Sequence, residues 1–275
     1  MANFSLEDLK ALRERLGTGM VDTKNALVEA DGDMDKAIEI LRLKGAKGNA
    51  KRADRSTSEG LVAAAENGNT ATIIELACET DFVAKGDKFV ALADKVLAAV
   101  VAAGATSVEE GLAALLEGTT VETFINDEAA ILGEKIELRR LTSITAEHFA
   151  IYLHKTSQDL PPQVGVLVGY TGADAETARA IAQHISFADP LYLSREDVPA
   201  AEVEKERHIV EEISRNEGKP EAQLSKIVEG RISAFIKQIA LLEQEYSRDN
   251  KFKISQVLDN AGLTVTDFTR FKVGA

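Results

Sequence analysis

The groups in this chain that could do covalent or metal chemistry are few, and their spacing works against it. Its single cysteine, Cys78, lies inside the strand-like apolar run from Ala71 to Cys78. That setting suits a small core residue better than a nucleophile, which needs a lowered pKa and access to solvent. A Cys–His hydrolase would need the Cys78 thiol exposed beside one of the histidines His148, His154, His184 or His208. None of them sits at metal-ligand spacing with a cysteine or another histidine. Asp31, Asp33 and Asp35 imitate the opening of a calcium loop. Lys36 stands where that loop needs its turn glycine, and Arg42 where it needs its bidentate glutamate. Gly17 and Gly19 lack the rest of a dinucleotide fingerprint, and Gly218-Lys219 runs into Pro220 instead of forming a phosphate loop. No catalytic residue, metal site or cofactor is therefore assigned. The residues read as those of a non-enzymatic binding protein.

The chemistry that remains is non-covalent, and it centres on Glu79-Thr80-Asp81-Phe82-Val83-Ala84-Lys85. This stretch joins the apolar run to a helix-like segment beginning near Gly86 and Asp87. A strand-to-helix junction projects a loop tip, and function collects at such tips. Two readings are open. Phe82 is a core residue at the helix start with Asp81 as its cap, or the pair is a wedge. In the wedge the ring enters an apolar gap in a partner while the carboxylate rearranges polar groups beside it.

The elements that must position this tip are legible as patterns. Ser5 can cap a helix, with Asp8 completing a capping box, and Leu6, Leu9, Leu12 and Leu16 share one helical face. A second helix runs from about Val21 to Ala30. A third carries Met34, Ala37, Ile38 and Leu41 and is expected to end at Gly45. Lys44, Lys47, Lys51, Arg52 and Arg55 follow among small residues and read as a solvated, partly helical linker. Gly60–Glu66 and Thr70–Cys78 are strand-like around Asn67-Gly68-Asn69, a strong hairpin signal. Phe89, Leu92, Val96, Leu97 and Val100 mark a helix, and further helices are expected over Val108–Leu116 and Val121–Leu132. Lys135–Thr142 alternates like a strand.

A second unit follows, with strands at Phe149–His154 and Val164–Tyr170 and a helix over Ala173–Phe187. Asp197–Asn216 reads as a helix and Glu221–Ser247 as one or two more, together an antiparallel hairpin broken at Gly218-Lys219-Pro220. Val203, Ile209, Val210 and Ile213 are expected on one side of its seam, and Leu224, Ile227, Val228 and Ile232 on the other. A short helix at Ile254–Ala261 and a strand at Leu263–Val273 complete the chain. The fold class is α+β: a three-helix head (1–45), a linker (46–59), a first core subdomain (60–142), a second (143–196 with 248–275), and a projecting antiparallel helical hairpin (197–247).

Composition bounds the function further. The 275 residues carry 45 acidic and 32 basic side chains, a net charge of −13. That balance opposes direct nucleic-acid binding, which rests on lysine and arginine neutralising phosphates, and favours positively charged partner surfaces. A single cysteine permits no intramolecular disulfide and suits a reducing cytosol. The opening MANFSLEDLK has no basic segment followed by an apolar core, so it does not read as a signal peptide. With no uncharged apolar run of about 18 residues, no membrane span or membrane partner is expected, and the location reads as cytoplasmic.

Residues 75–85, ELACETDFVAK, closely resemble the second signature of the bacterial elongation factor Ts family, and residues 12–27, LRERLGTGMVDTKNAL, resemble the first. The two occur in the family's order, and similarity runs from Leu9 to the closing Arg270-Phe271-Lys272-Val273-Gly274. On these residues the chain is identified as a member of that family. The resemblance implies a head of the ubiquitin-associated type and two related subdomains of strand pair plus helix. It implies a guanine-nucleotide exchange factor that binds elongation factor Tu, both carrying GDP and free of nucleotide. Thr80, Asp81, Phe82 and Val83 match the family's tip without departure, and that tip is held to enter the GTPase beside its magnesium site. By the same resemblance Met20 and Val21 touch a second GTPase helix. Members usually carry a second Met where Val21 stands and often Cys where Thr23 stands. Leu132 and His154 align with further contacts, a satisfied structural role standing beside the functional one for His154. Some members self-associate through the hairpin region, so a homodimer is expected there. Some carry a further helical tail; this chain stops at Ala275, and contacts of that tail are not carried over. A scaffold that binds polypeptide through a ubiquitin-associated-like head, without altering nucleotide exchange, is the alternative function.

Overall fold

The computed structural model describes residues 3–275. Helix α1 (Leu6–Leu16) opens on the expected capping box: the Ser5 hydroxyl accepts from the Asp8 N–H, and the Asp8 carboxylate accepts from the Ser5 N–H. It stops at Gly17, whose φ of 63° is the left-handed conformation glycine adopts cheaply. Helix α2 (Met20–Glu29) follows, then α3 (Met34–Arg52). Asp33 caps α3 by accepting from the Asp35 and Lys36 N–H groups, so the middle member of the calcium-like acidic run is a helix cap. Leu9, Leu12, Ala26, Leu27, Ala37 and Leu41 form the core of these helices.

Gly45 does not end α3, which runs on to Arg52. A Cβ on Gly45 would stand 2.8 Å from the Ala130 Cβ. The glycine gives close approach to a neighbouring helix; it is not a stop signal. The basic residues Lys44, Lys47, Lys51 and Arg52 lie on the last turns of this helix, where cations complement its dipole.

Strands β1 (Glu59–Asn67) and β2 (Thr70–Cys78) pair antiparallel around Gly68, with a φ of 64°. One turn of helix, α4 (Asp81–Ala84), and the long α5 (Asp87–Ala103) come next. Helix α6 (Val108–Ala113) is shorter than its sequence pattern suggests. Leu115–Leu116 (β3) folds back on Thr119–Thr120 (β4) around Glu117 and Gly118, both at positive φ. Helix α7 (Val121–Leu132) leads into β5 (Ile136–Thr145), which pairs with β2 and completes a sheet of order β1-β2-β5. Strand β2 is thus central and is buried from Ala71 to Cys78, the cause of its largely apolar run; the one charge within it, Glu75, is fully buried and paired with Arg139 and Arg140. Phe89, Leu92, Val96 and Val100 of α5 pack on one face of this sheet with Leu61, Ile74 and Leu76.

A second antiparallel sheet has the order β6 (His148–His154), β7 (Val164–Thr171), β8 (Thr264–Lys272). It is covered by α8 (Ala175–Ala188) and α11 (Ile254–Ala261), with Val166, Val168, Ile181, Ile185 and Leu258 in the core between them. The two sheets meet through Val62, Ile73, Ile144, Leu167 and Phe271. Gly165 makes the contact possible, since a Cβ there would lie 2.3 Å from Val62 Cγ1.

Helices α9 (Ala200–Asn216) and α10 (Glu221–Ile239) form the hairpin, turned by Gly218 at φ 73° and Pro220. Its second helix stops eight residues before the expected Ser247. Leu241 and Leu242 instead donate to the Tyr192 and Leu193 carbonyls, returning the chain to the second sheet. Val210, Leu224, Val228, Ile232 and Ile236 form the seam. Ile209 and Ile213 face outward, 41% and 43% exposed, and are not part of it. The protein is α+β with small antiparallel sheets, and among the described residues no helix is long and apolar enough to cross a membrane.

Candidate functional site

Where β2 leaves the sheet, Thr80 has extended backbone and caps the single turn Asp81–Ala84, its hydroxyl accepting from the Val83 N–H at 3.4 Å. One helical turn has an inner and an outer side. Val83 and Ala84 turn inward to the core beside Phe89, at 8% and 0% exposure. Phe82 turns outward and is 75% exposed. A phenyl ring so placed is not a core residue, so the reading of Phe82 as helix-start core does not hold. Capping falls to Thr80, which leaves the Asp81 carboxylate free for other work. Lys85 reaches that carboxylate at 3.7 Å, and its ammonium stands 5.9 Å from the Phe82 ring centroid. Both contacts are solvated and therefore weak.

The tip's base is held by two crossed carboxylates. Glu134, in the turn between α7 and β5, accepts from the Glu79 N–H at 3.1 Å and the Thr80 N–H at 3.0 Å through Oε2. Its Oε1 accepts from the Thr80 hydroxyl at 2.5 Å. In the opposite direction the Glu79 carboxylate accepts from the Lys135 N–H at 2.6 Å and from Arg55 at 3.0 Å. Burial pushes the Glu79 carboxyl up, but the Lys135 N–H and the Arg55 guanidinium outweigh it and hold it below its ordinary value. The Cys78 thiol donates to the Thr80 carbonyl at 3.3 Å. Burial, reinforced by the Glu134 and Glu59 charges, raises that thiol to about 12. Cys78 is fully buried, so it has neither the thiolate nor the access a nucleophile needs.

Met20 and Val21 occupy the first turn of α2, 45% and 69% exposed. The α1–α2 turn sits against α7: a Cβ on Gly17 would lie 3.1 Å from Ile131 Cγ2. Met20, Lys88 and Ile131 line one cleft of about 640 Å³ there. A short path therefore runs from the head through Ile131 and Leu132 to Glu134 and on to Thr80. Leu132 is half-buried against the first core. His154 stands apart at the end of β6 on the second sheet, exposed, its Nδ1 3.1 Å from the Tyr152 hydroxyl. The glutamate pair was missed at the level of sequence. Glu79 and Glu134 are 55 residues apart, and nothing local distinguishes them from other surface acids. Among the described residues no group of three or more His, Cys, Asp or Glu side chains could hold a metal ion.

Comparison with known proteins bears on this tip. Residues 79–275 match the family model described as Elongation factor TS. Over its full length, and that of the relative, the chain is 74% identical to the Elongation factor Ts of Leifsonia xyli subsp. xyli. The chain belongs to the elongation factor Ts family. Elongation factor Ts of Clavibacter sepedonicus is 69% identical and that of Micrococcus luteus 54%, each over the whole of both chains. As an elongation factor Ts the protein is a translation elongation factor. The family match begins at Glu79, the first residue of the tip, and continues through Glu134 to the end of the chain.

Proposed function

We propose that this elongation factor Ts is a guanine-nucleotide exchange factor for elongation factor Tu, and that Thr80, Asp81, Phe82 and Val83 are its exchange tip. The observation that carries the reading is an exposed Phe82 ring on a turn whose inner side, Val83 and Ala84, is anchored in the core. A large apolar ring held out on a rigid mount is poised for a pocket in another protein. In a GTPase the nucleotide is held by a phosphate loop and a magnesium ion that bridges phosphate and protein. Phe82 enters between helices of elongation factor Tu, and Asp81 leaves Lys85 to disturb the groups that orient the metal-bound water. Burying one phenylalanine is worth about 1.5–3 kcal/mol, enough for a local switch and too little to bind the partner alone.

Met20 and Val21 supply a second contact, and Leu132 and His154 further ones. The factor binds the partner with GDP or without nucleotide. Linkage sets the cycle: by whatever ratio the factor weakens GDP, GDP weakens the factor. No covalent bond changes, so the protein is not an enzyme in the chemical sense. It acts in the cytoplasm without direct contact to nucleic acid or membrane. The reading carries a division of labour with it: a ubiquitin-associated-like head, two sheet-and-helix subdomains and a hairpin. The outward Ile209 and Ile213 favour self-association through that hairpin. Sedimentation at micromolar concentration yielding only the 29.6 kDa species would reject the dimer.

The test of exchange is stimulated release of labelled GDP from elongation factor Tu. Wild-type protein accelerates it, and Phe82→Ala does so far less while keeping the wild-type melting temperature. Equal rates for the two would remove the tip from the mechanism. Binding without any acceleration would instead favour a polypeptide-binding scaffold.

A further inference from the structure

The wedge reading leaves unexplained what keeps the tip at one angle. Strand β2 makes its last ladder pairs at Cys78, with Glu59 on one side and Ile136 on the other. The N–H groups of Glu79 and Thr80 come after that point and have no strand partner. The first N–H groups of a helical turn likewise lack partners within the turn. The Glu79 and Thr80 N–H groups are both satisfied by one side chain. Glu134 gathers the Glu79 N–H, the Thr80 N–H and the Thr80 hydroxyl on a single carboxylate. Bonds to an ionised acceptor are the strong class of hydrogen bond.

Glu134 cannot easily move away. Its neighbour Lys135 is tied back to the same junction, its N–H donating to the Glu79 carboxylate and its ammonium to the Arg55 carbonyl. Glu134 does not reach the outward face: Phe82 and Asp81 have their own neighbours in Lys85. It acts on the mount and leaves the prong free.

We propose that Glu134 is the positioning residue of the exchange tip, its carboxylate fixing the backbone of Glu79 and Thr80 so that Phe82 and Asp81 leave the sheet at the angle the partner accepts. This rests on the exchange-factor reading above. Three donors converging on one carboxylate from a turn 54 residues away in sequence carry it. The consequence is kinetic. Losing a charge-assisted hydrogen bond from a poised conformer lowers its population about ten- to a hundredfold. Head contacts at Met20 and Val21 stay intact, so encounter with elongation factor Tu is preserved while productive insertion is lost.

The test compares wild type, Glu134→Ala, Glu134→Gln and Phe82→Ala for GDP release from elongation factor Tu over a range of factor concentrations. Melting temperature and amide hydrogen exchange are measured on each free protein. Glu134→Ala is expected to lower the maximal release rate by about tenfold or more, with much less change in the half-saturating concentration. Glu79 and Thr80 amides should exchange faster, while β2 amides from Ile73 to Leu76 keep their protection. Glu134→Gln keeps one acceptor oxygen and gains an amide that can donate to the Thr80 hydroxyl, so its rate should fall between the two. It also serves if the alanine variant does not fold. Wild-type maximal rates in both Glu134 variants, with Phe82→Ala impaired, overturn the positioning role and leave the tip reading standing. Unchanged Glu79 and Thr80 protection in Glu134→Ala overturns it as well. Failure of wild type to accelerate release, or full activity of Phe82→Ala, sinks the tip reading itself and this inference with it.

Discussion

Phe82 and Val83 are adjacent and face opposite ways, and that division makes separate predictions for each. Truncating Phe82 removes little buried area, because the ring is 75% exposed, so Phe82→Ala should change stability by no more than about 0.5 kcal/mol. Val83→Ala removes two methyl groups from a packed site at 8% exposure and should cost about 1–2 kcal/mol in urea unfolding. Asp81→Ala should reduce stimulated GDP release less than Phe82→Ala, with the deficit visible mainly at high magnesium, where the metal competes best. The ionisation of His184 couples to stability at mild pH. The Ser247 N–H points at its Nδ1 and Gln244 Oε1 lies 2.8 Å from its Nε2, which fits a neutral ring donating to Gln244. Burial lowers its pKa below the usual 6.5, against the opposing Gln244 bond. A base with a lowered folded pKa leaves stability whole above the unfolded value; below about 6.5 the unfolded chain takes up a proton the native state refuses. The wild-type melting temperature should therefore fall between pH 7.5 and 5.5 by more than that of His184→Gln.

At the scale of elements, the tip is held by what lies on either side of it. Helix α5 and strand β2 were legible because each has a strong pattern: Phe89, Leu92, Val96 and Val100 on one helical face, and a mostly apolar run, broken at Thr72 and Glu75, ending at Cys78. Asn67-Gly68-Asn69 identified the hairpin for a local reason, its Gly68 at φ 64°. What failed was each place where a distant packing contact outranks a local preference. Gly45 looks like a stop and is a contact point for Ala130; Ser247 looks helical, yet the chain is drawn off after Ile239 toward Tyr192 and Leu193. The Glu79–Glu134 clasp was invisible for the same cause, because its partners are brought together only by the pairing of β5 with β2. Gly45→Val should accordingly push α3 from α7. The expected cost is about 1–3 kcal/mol of overpacking, read as a lower urea midpoint.

Across the whole molecule, the proposed function asks the two sheets and the head to bring several separated contacts to one partner. Gly165 lets the sheets close on Val62 and Ile73, and the α1–α2 turn packs on Ile131, one helix end from the Glu134 turn. Under the proposed function, rigid coupling of this kind would let a partner bound at Met20 and Val21 meet Phe82 at a fixed offset. A loosely tethered tip would spend binding free energy on ordering itself first. The measurement that tests this most directly is stopped-flow release of fluorescent GDP from elongation factor Tu, with wild type and Phe82→Ala at saturating factor. A large acceleration by wild type, mostly lost in a Phe82→Ala protein with an unchanged melting temperature, is the predicted result. Equal acceleration by both proteins would contradict it.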